Sequence, residues 1–328
     1  MSEIIASEIP VTVVIPVFNK HRTLRRAVDS VLAQTHQALE IIITDDLSTD
    51  DSLSIANNCA LKDSRIRVIE SNSKSGLYNN RIKGIKAATG AATTFLDADD
   101  TMEPRAIELM LKSMLEYDTD IVQMRFRRRM KGLGIKYLEQ WDPALADRRI
   151  DGIDFRSLAS YVGMDSYILP SCWVKMYRTH LLQSIDWLDF PQFWGEDQIF
   201  NIQYLRNCRS ISFVDYVGYN YFWGGDTTTY KFSLLREYKN VHAIKRVMGQ
   251  SEEYINAEIK QLLRYHVRQL FTELSWTLPA VEKVIRDELR DPLWKQVGLE
   301  VSAEQLVKEE WEAVQRSPLK YLIKKLLK

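Results

Sequence analysis

The first 125 residues alternate between two hydrophobic periods. Residues 11–15, 40–44, 65–70, 92–96 and 121–124 are short apolar runs rich in Val and Ile, the pattern of buried strands. Between them the spacing is helical. Leu24, Ala27, Val28, Val31 and Leu32 share one stripe of residues 23–33, and similar spacing predicts helices over 52–59, 77–88 and 105–116. Apolar strands alternating with helices through short loops imply βαβ units: an α/β domain with a mostly parallel central sheet and helices on both faces. Ligands bind such sheets beyond the carboxyl ends of the strands. Four polar loops, 16–19, 45–48, 71–76 and 97–100, are thereby expected on one rim.

The pattern loosens after residue 125. Residues 125–131 form a basic run, for which a solvated loop is the simplest expectation. Residues 141–225 mix short strands and loops and are dense in aromatics. From about residue 234 the spacing is helical again. The expected organisation is an α/β domain over 1–232, divided into halves 1–125 and 126–232, followed by a C-terminal helical region over 233–328.

Composition narrows the class. With 45% hydrophobic and 27% charged residues, the 328-residue chain can bury a sizeable core. Lys and Arg balance Asp and Glu at 44 each, so no global field recruits nucleic acid. Cys59, Cys172 and Cys208 lack metal-ligand spacing and read as free thiols of a reducing compartment. The first nine residues lack a signal-peptide core, and no stretch approaches the about 18 apolar residues that suggest a membrane span. A cytoplasmic protein is expected, with peripheral docking on the inner face of the membrane left open.

Candidate chemistry concentrates at Asp97-Ala-Asp99-Asp100, three carboxylates in four residues at the exit of the fourth strand. Bunched carboxylates repel one another and favour a cationic partner, and oxygen ligands suit Mg²⁺ or Mn²⁺. An acidic turn, with Asp99 or Asp100 capping the next helix, is the alternative. The same element also fits a haloacid-dehalogenase-type phosphatase with Asp97 as nucleophile. In that family it normally follows the first strand, whereas here three strand–helix units precede it.

Five segments together, Val11–Asn19, Thr44–Asp50, Ser75-Gly76 with Arg81 and Gly84, Phe95–Asp100 and Trp194-Gly-Glu196-Asp197, resemble the family 2 glycosyltransferases of GT-A fold over roughly residues 9–230. The resemblance implies inverting transfer of a sugar from a nucleotide donor, usually a UDP-sugar, to a glycan or lipid-linked acceptor in surface-polysaccharide or lipopolysaccharide assembly. It places Pro16, Val17 and Phe18 against the nucleotide base and Asp46 at the uracil N–H. Arg81 falls near base or diphosphate. Asp99 becomes the ligand of Mn²⁺ or Mg²⁺, Asp97 lies between ribose and metal, and Asp100 is left to cap the helix. Asp197 is implied as general base, with Glu196 orienting the acceptor. A helix cap is the simpler role for Asp46, and a solvated helix face the simpler site for Arg81. Leu47 stands where the family usually has Gly, and Phe222 and Trp223 stand where a cationic contact to the diphosphate is common.

Trp187, Phe190, Phe193 and Trp194 lie near the implied base, and one or two of them are expected on the acceptor sugar. Residues 317–328 place Leu319, Leu322, Ile323, Leu326 and Leu327 on one helical face and four lysines on the other, a pattern suited to an anionic membrane surface. Packing on the domain or on a homodimer partner is the alternative. A non-catalytic, membrane-docked scaffold is the remaining reading of the whole chain.

Overall fold

The computed structural model describes residues 7–130, 136–138, 146, 148–152, 171–187, 196–205 and 207–223, with Gln305 and Lys308 as isolated positions. The chain divides into two compact units, Met1–Thr229 and Tyr230–Lys328. The helices expected beyond residue 233, including the 317–328 segment, lie outside the described residues.

The elements in order are β1 (Val11–Val17), α1 (Leu24–Leu32), β2 (Leu39–Asp45), α2 (Ser52–Ala60), β3 (Ile66–Glu70), α3 (Gly76–Ala87), β4 (Ala92–Phe95), β5 (Thr101–Met102), α4 (Ala106–Glu116) and β6 (Ile121–Met130). They continue as β7 (Lys136–Leu138), β8 (Arg149–Asp151), β9 (Lys175–Arg178), α5 (Thr179–Gln183), α6 (Glu196–Leu205) and β10 (Ser210–Trp223). One ten-stranded sheet runs β3-β2-β1-β4-β9-β6-β10-β5, with β7 on β6 and β8 on β10. Strands β1 to β4 are parallel, and β6 is parallel to β10. Strand β9 enters antiparallel between β4 and β6, so both parallel groups point the same way and share one carboxyl rim.

Every residue of β1 is buried, which only a strand covered on both faces allows. Val11, Val13, Ile15 and Val17 pack in the core with Leu24, Ala27, Val28 and Val31 of α1, Ala56 of α2 and Met110 of α4. Burying each such aliphatic side chain contributes roughly 1.5–3 kcal/mol. The opposite face carries Val14, and α3 packs so closely on it that a Cβ at Gly84 would lie 2.3 Å from Val14 Cγ1. Phe95, Tyr177, Phe200 and Tyr204 continue that face as edge-to-face ring contacts joining β4, β9 and α6.

Two expectations change. The basic run is not a loop: Arg125–Met130 forms the second half of β6 and pairs with β10. Its arginines find acids on neighbouring elements, Arg125 on Asp215 at 2.7 Å and both Arg127 and Arg129 on Glu103 at 3.7 Å. Secondly, a short strand, β5, lies between the acidic turn and α4.

Candidate active site

The four loops predicted to share a rim do so, because β1 to β4 are parallel neighbours. At the end of β1, Val17 is buried in the core and Pro16 is buried in the strand, so of the three expected base contacts only Phe18 is half-exposed at the rim. The Lys74 ammonium stands 3.9 Å over its ring.

Asp46 is buried and acts as a remote helix anchor. Its Oδ1 accepts from the Ser75 backbone N–H (2.7 Å) and hydroxyl (2.9 Å), and its Oδ2 accepts from the Gly76 N–H (2.9 Å), all at the start of α3. The capping alternative is therefore realised, but for α3 rather than for the nearby α2. Adjacent Asp45 accepts from the Ser48 N–H through Oδ2 (2.9 Å), while its buried Oδ1 has no partner among the described residues. Leu47 adopts φ +58°, the left-handed conformation that Gly takes without strain. The substitution therefore keeps the backbone path at a conformational cost.

Strand β4 delivers the acidic turn, and its three aspartates separate completely. Asp100 is not a helix cap: α4 starts at Ala106, and the residue before it, Arg105, makes no side-chain cap. Asp100 is instead buried against β10, accepting from the Tyr219 hydroxyl (2.9 Å) and the Phe222 backbone N–H (2.8 Å). Burial, then the charges of Asp99 and Asp97, push its carboxyl well above the usual value. Tyr219 also accepts from the Asp97 N–H at 3.2 Å, so one hydroxyl holds both ends of the turn.

Asp97 faces Arg81 of α3. This arginine is not solvated: it is 1% exposed and collects carboxylates from two parts of the chain. Nη2 lies 2.8 Å from Asp97 Oδ1, Nη1 lies 2.5 Å from Asp197 Oδ1, and Glu196 Oε1 is 3.6 Å from Nη1. Burial opposes the guanidinium charge, and Asp197 and Asp97 outweigh it. Glu196 and Asp197 occupy the first turn of α6, where the helix dipole favours acids. Burial and then the charge of Asp197 raise Glu196 to about 7, against the pull of Arg81. Burial also raises Asp97, Arg81 pulls it back, and the charges of Asp197 and Asp99 add to the rise.

Asp99 takes a different cation. Its Oδ2 lies 2.5 Å from Lys20 Nζ, and its backbone carbonyl accepts from Arg26 Nη2. Among the described residues no group of three His, Cys, Asp or Glu side chains gathers to hold a metal. The two carboxylates suit a hard cation that completes its shell with phosphate oxygens and water, the usual habit of Mg²⁺. The donor set thus fits Mn²⁺ or Mg²⁺ bound together with a diphosphate.

Lys20, Asp45 and Tyr219 escape the sequence reading. Lys20 directly follows the Pro16–Asn19 turn, which was its only local signal; Tyr219 had none. Phe222, which stands where the resemblance commonly has a cationic contact, lies under a cation: the Arg26 guanidinium is 3.9 Å above its ring and Arg129 is 5.7 Å away. Trp187 is half-buried, stacked on Phe200 at 4.7 Å. Phe190, Phe193 and Trp194 lie outside the described residues.

An open, mostly parallel α/β sheet with acids gathered beyond its carboxyl edge is consistent with the GT-A fold, and the match to a solved glycosyltransferase structure supports it. The chain resembles the crystal structure of Staphylococcus aureus TarS residues 1–349 in complex with UDP-GlcNAc, with a TM-score of 0.64 and 20% identity over 95% of this chain and 92% of that one. Residues 12–172 match the family described as Glycosyl transferase family 2. Glycosyltransferase GlyA of Streptococcus pneumoniae is 31% identical over 53% of this chain and 25% of its own length. The GalNAc(5)-diNAcBac-PP-undecaprenol β-1,3-glucosyltransferase of Campylobacter jejuni is 35% identical over 32% of this chain and 34% of its own. The chain thus spans about a quarter to a third of the length of these relatives. Among the described residues no helix is long and apolar enough to cross a membrane.

Proposed function

We propose that this chain is an inverting glycosyltransferase. It moves a sugar from a nucleotide-diphosphate donor, a UDP-sugar, to a hydroxyl of a glycan or lipid-linked acceptor during assembly of a bacterial surface polysaccharide. One observation carries the reading: buried Arg81 holds Asp97, at the exit of β4, within one guanidinium of Asp197 and Glu196, at the start of α6. In-line displacement needs this juxtaposition, with the diphosphate beside one carboxylate and the attacking hydroxyl beside another. The relatives support the class: TarS is captured with UDP-GlcNAc, and the Campylobacter enzyme is named for an undecaprenol-linked acceptor.

The roles follow from position. Asp197 is the general base, and Arg81 fixes the rotamer that aims it. Asp99, with Asp97, holds Mn²⁺ or Mg²⁺, which when bound neutralises charge on the departing diphosphate. Phe18 and the 45–48 loop form the nucleotide end. Three of the roughly four acceptor positions of Asp46 are taken by Ser75 and Gly76, so the unpartnered Asp45 Oδ1 is the stronger acceptor for a base N–H. Catalysis takes place in the cytoplasm, on the inner membrane face when the acceptor is lipid-linked. The phosphatase reading is not favoured, because the family match and the curated relatives are glycosyltransferases.

Asp197→Asn is expected to lower kcat about 10³-fold, in the usual range for a positioned base, with KM for the donor little changed. Glu196→Gln is expected to keep most of the turnover and to lose an inflection near pH 7. A second reading exchanges the two carboxylates, because Glu196, raised to about 7, titrates where a base works best while Asp197 is tied to Arg81. Collapse of turnover in Glu196→Gln, with activity surviving in Asp197→Asn, establishes that exchange. No metal-dependent turnover of any UDP- or GDP-sugar by the wild type rejects both.

A further inference from the structure

The two carboxylates proposed to face the metal are held by cations of opposite character. Arg81 is 1% exposed, locked between two elements, and leaves Asp97 only if the junction comes apart. Lys20 and Asp99 side chains are 26% and 19% exposed, and nothing but rotation of the lysine stem is needed to part them.

The backbone beneath Lys20 is built to aim it. Asn19 takes φ +53°, a conformation Asn tolerates better than most residues, and its side-chain Oδ1 accepts from the Thr49 N–H at 2.8 Å. The Asn19 N–H donates to Ser48 Oγ (3.0 Å), and the Lys20 N–H donates to Ser52 Oγ (2.7 Å). The Lys20 carbonyl accepts the first two N–H groups of the turn entering α1, from Thr23 and Leu24. With its main chain pinned on both sides, Lys20 sends its ammonium across the rim to Asp99. Arg26, donating to the Asp99 carbonyl and seated on Phe222, keeps the turn in place whichever partner the carboxylate has.

We propose that Lys20 is a built-in cation of the donor site: it holds Asp99 when no divalent cation is bound, and turns to the nucleoside diphosphate once a cation takes Asp99. The inference rests on the reading of Asp99 as a cation ligand. A divalent ion arriving alone must displace the ammonium and then sit beside it, so it binds weakly. A diphosphate arriving with the ion gives the displaced ammonium a new anionic partner, and the compact charge and flexible stem of lysine suit that change of partner. Cation and nucleotide therefore bind with positive coupling, felt equally by each.

The test is Mn²⁺ binding to the full chain, followed by electron paramagnetic resonance of the free ion, with and without saturating UDP. Lys20→Met preserves the stem without the charge, and Lys20→Gln is the second variant should the first fold poorly. The expected result is Mn²⁺ affinity about fivefold or more above wild type without UDP, with the advantage abolished or reversed when UDP is present. Equal affinities of wild type and variants without UDP overturn the proposal while leaving Asp99 as ligand. Asp99→Asn separates the two ideas: if it binds Mn²⁺ with UDP as well as wild type does, the cation-ligand reading falls and the Lys20 proposal with it.

Discussion

Residues 11–100 and residues 171–223 build the same rim in different ways. In the first segment Phe18, Lys20, Asp46, Asp97 and Asp99 leave loops that follow their own strands, and parallel neighbours β1 to β4 bring those loops together; Arg81 reaches the rim from α3. In the second, an antiparallel β9, a helix and the long β10 deliver Glu196, Asp197, Tyr219 and Phe222 from positions that adjacent strands do not relate. Two buried polar ties then join the segments: Arg81 to Asp197, and Tyr219 to Asp100. The first segment is a repeating scaffold that tolerates changes at its loops; the second depends on the ties.

Cutting the larger tie is the severest way to break this division. Arg81→Met leaves three carboxylates facing one another with no counter-charge, and a loss of about 3 kcal/mol is expected, as for breaking a buried ion pair. Urea titration should show that deficit shrink at low pH, as the carboxylates protonate. A deficit unchanged with pH would mean that packing, not charge, joins the segments. Tyr219→Phe cuts the smaller tie, leaving a buried Asp100 oxygen and the Asp97 N–H short of a partner. About 1–2 kcal/mol is expected, with donor KM rising more than kcat falls because only the turn is loosened. The smallest effect lies wholly within the scaffold. Leu47→Gly removes left-handed strain at an exposed residue and is expected to stabilise by about 0.5–1 kcal/mol, read as a raised urea midpoint with activity intact. Destabilisation there would instead assign Leu47 a packing role.

Glu196 marks the seam by pH as well. Its value is raised in the fold, so the stability from its protonation is present in full below about 4.3 and is lost as pH rises through about 7. The Glu196→Gln variant should therefore gain on wild type over that window.

What was legible in the chain follows the same division. Strands β1 to β4 and helices α1 to α4 announce themselves because each is a local period of about 2 or 3.6 residues, bounded by polar turns. Asp97, Asp99, Glu196 and Asp197 were visible as clustered acids. The partners of those acids were not. Nothing near Arg81 distinguishes a buried arginine from one on a solvated helix face, and Tyr219 lies 119 residues from the carboxylate it holds. The run 125–131 looked like a loop because its arginines read as solvent-facing; β10 and Glu103 across the sheet supply the pairing that makes Arg125–Met130 a strand.

By itself the sequence determined the α/β order, the shared rim and the family of acids upon it, because strand and helix periods and short loops are properties of consecutive residues. Only the tertiary structure decided which carboxylate meets which cation. Asp46 became the anchor of α3, Asp100 a buried link to β10, Asp97 the partner of a locked arginine and Asp99 that of a lysine free to move. The reason is electrostatic: a carboxylate's role depends on the donors, charges and burial within a few ångströms of it, and the fold draws those from residues scattered along the chain.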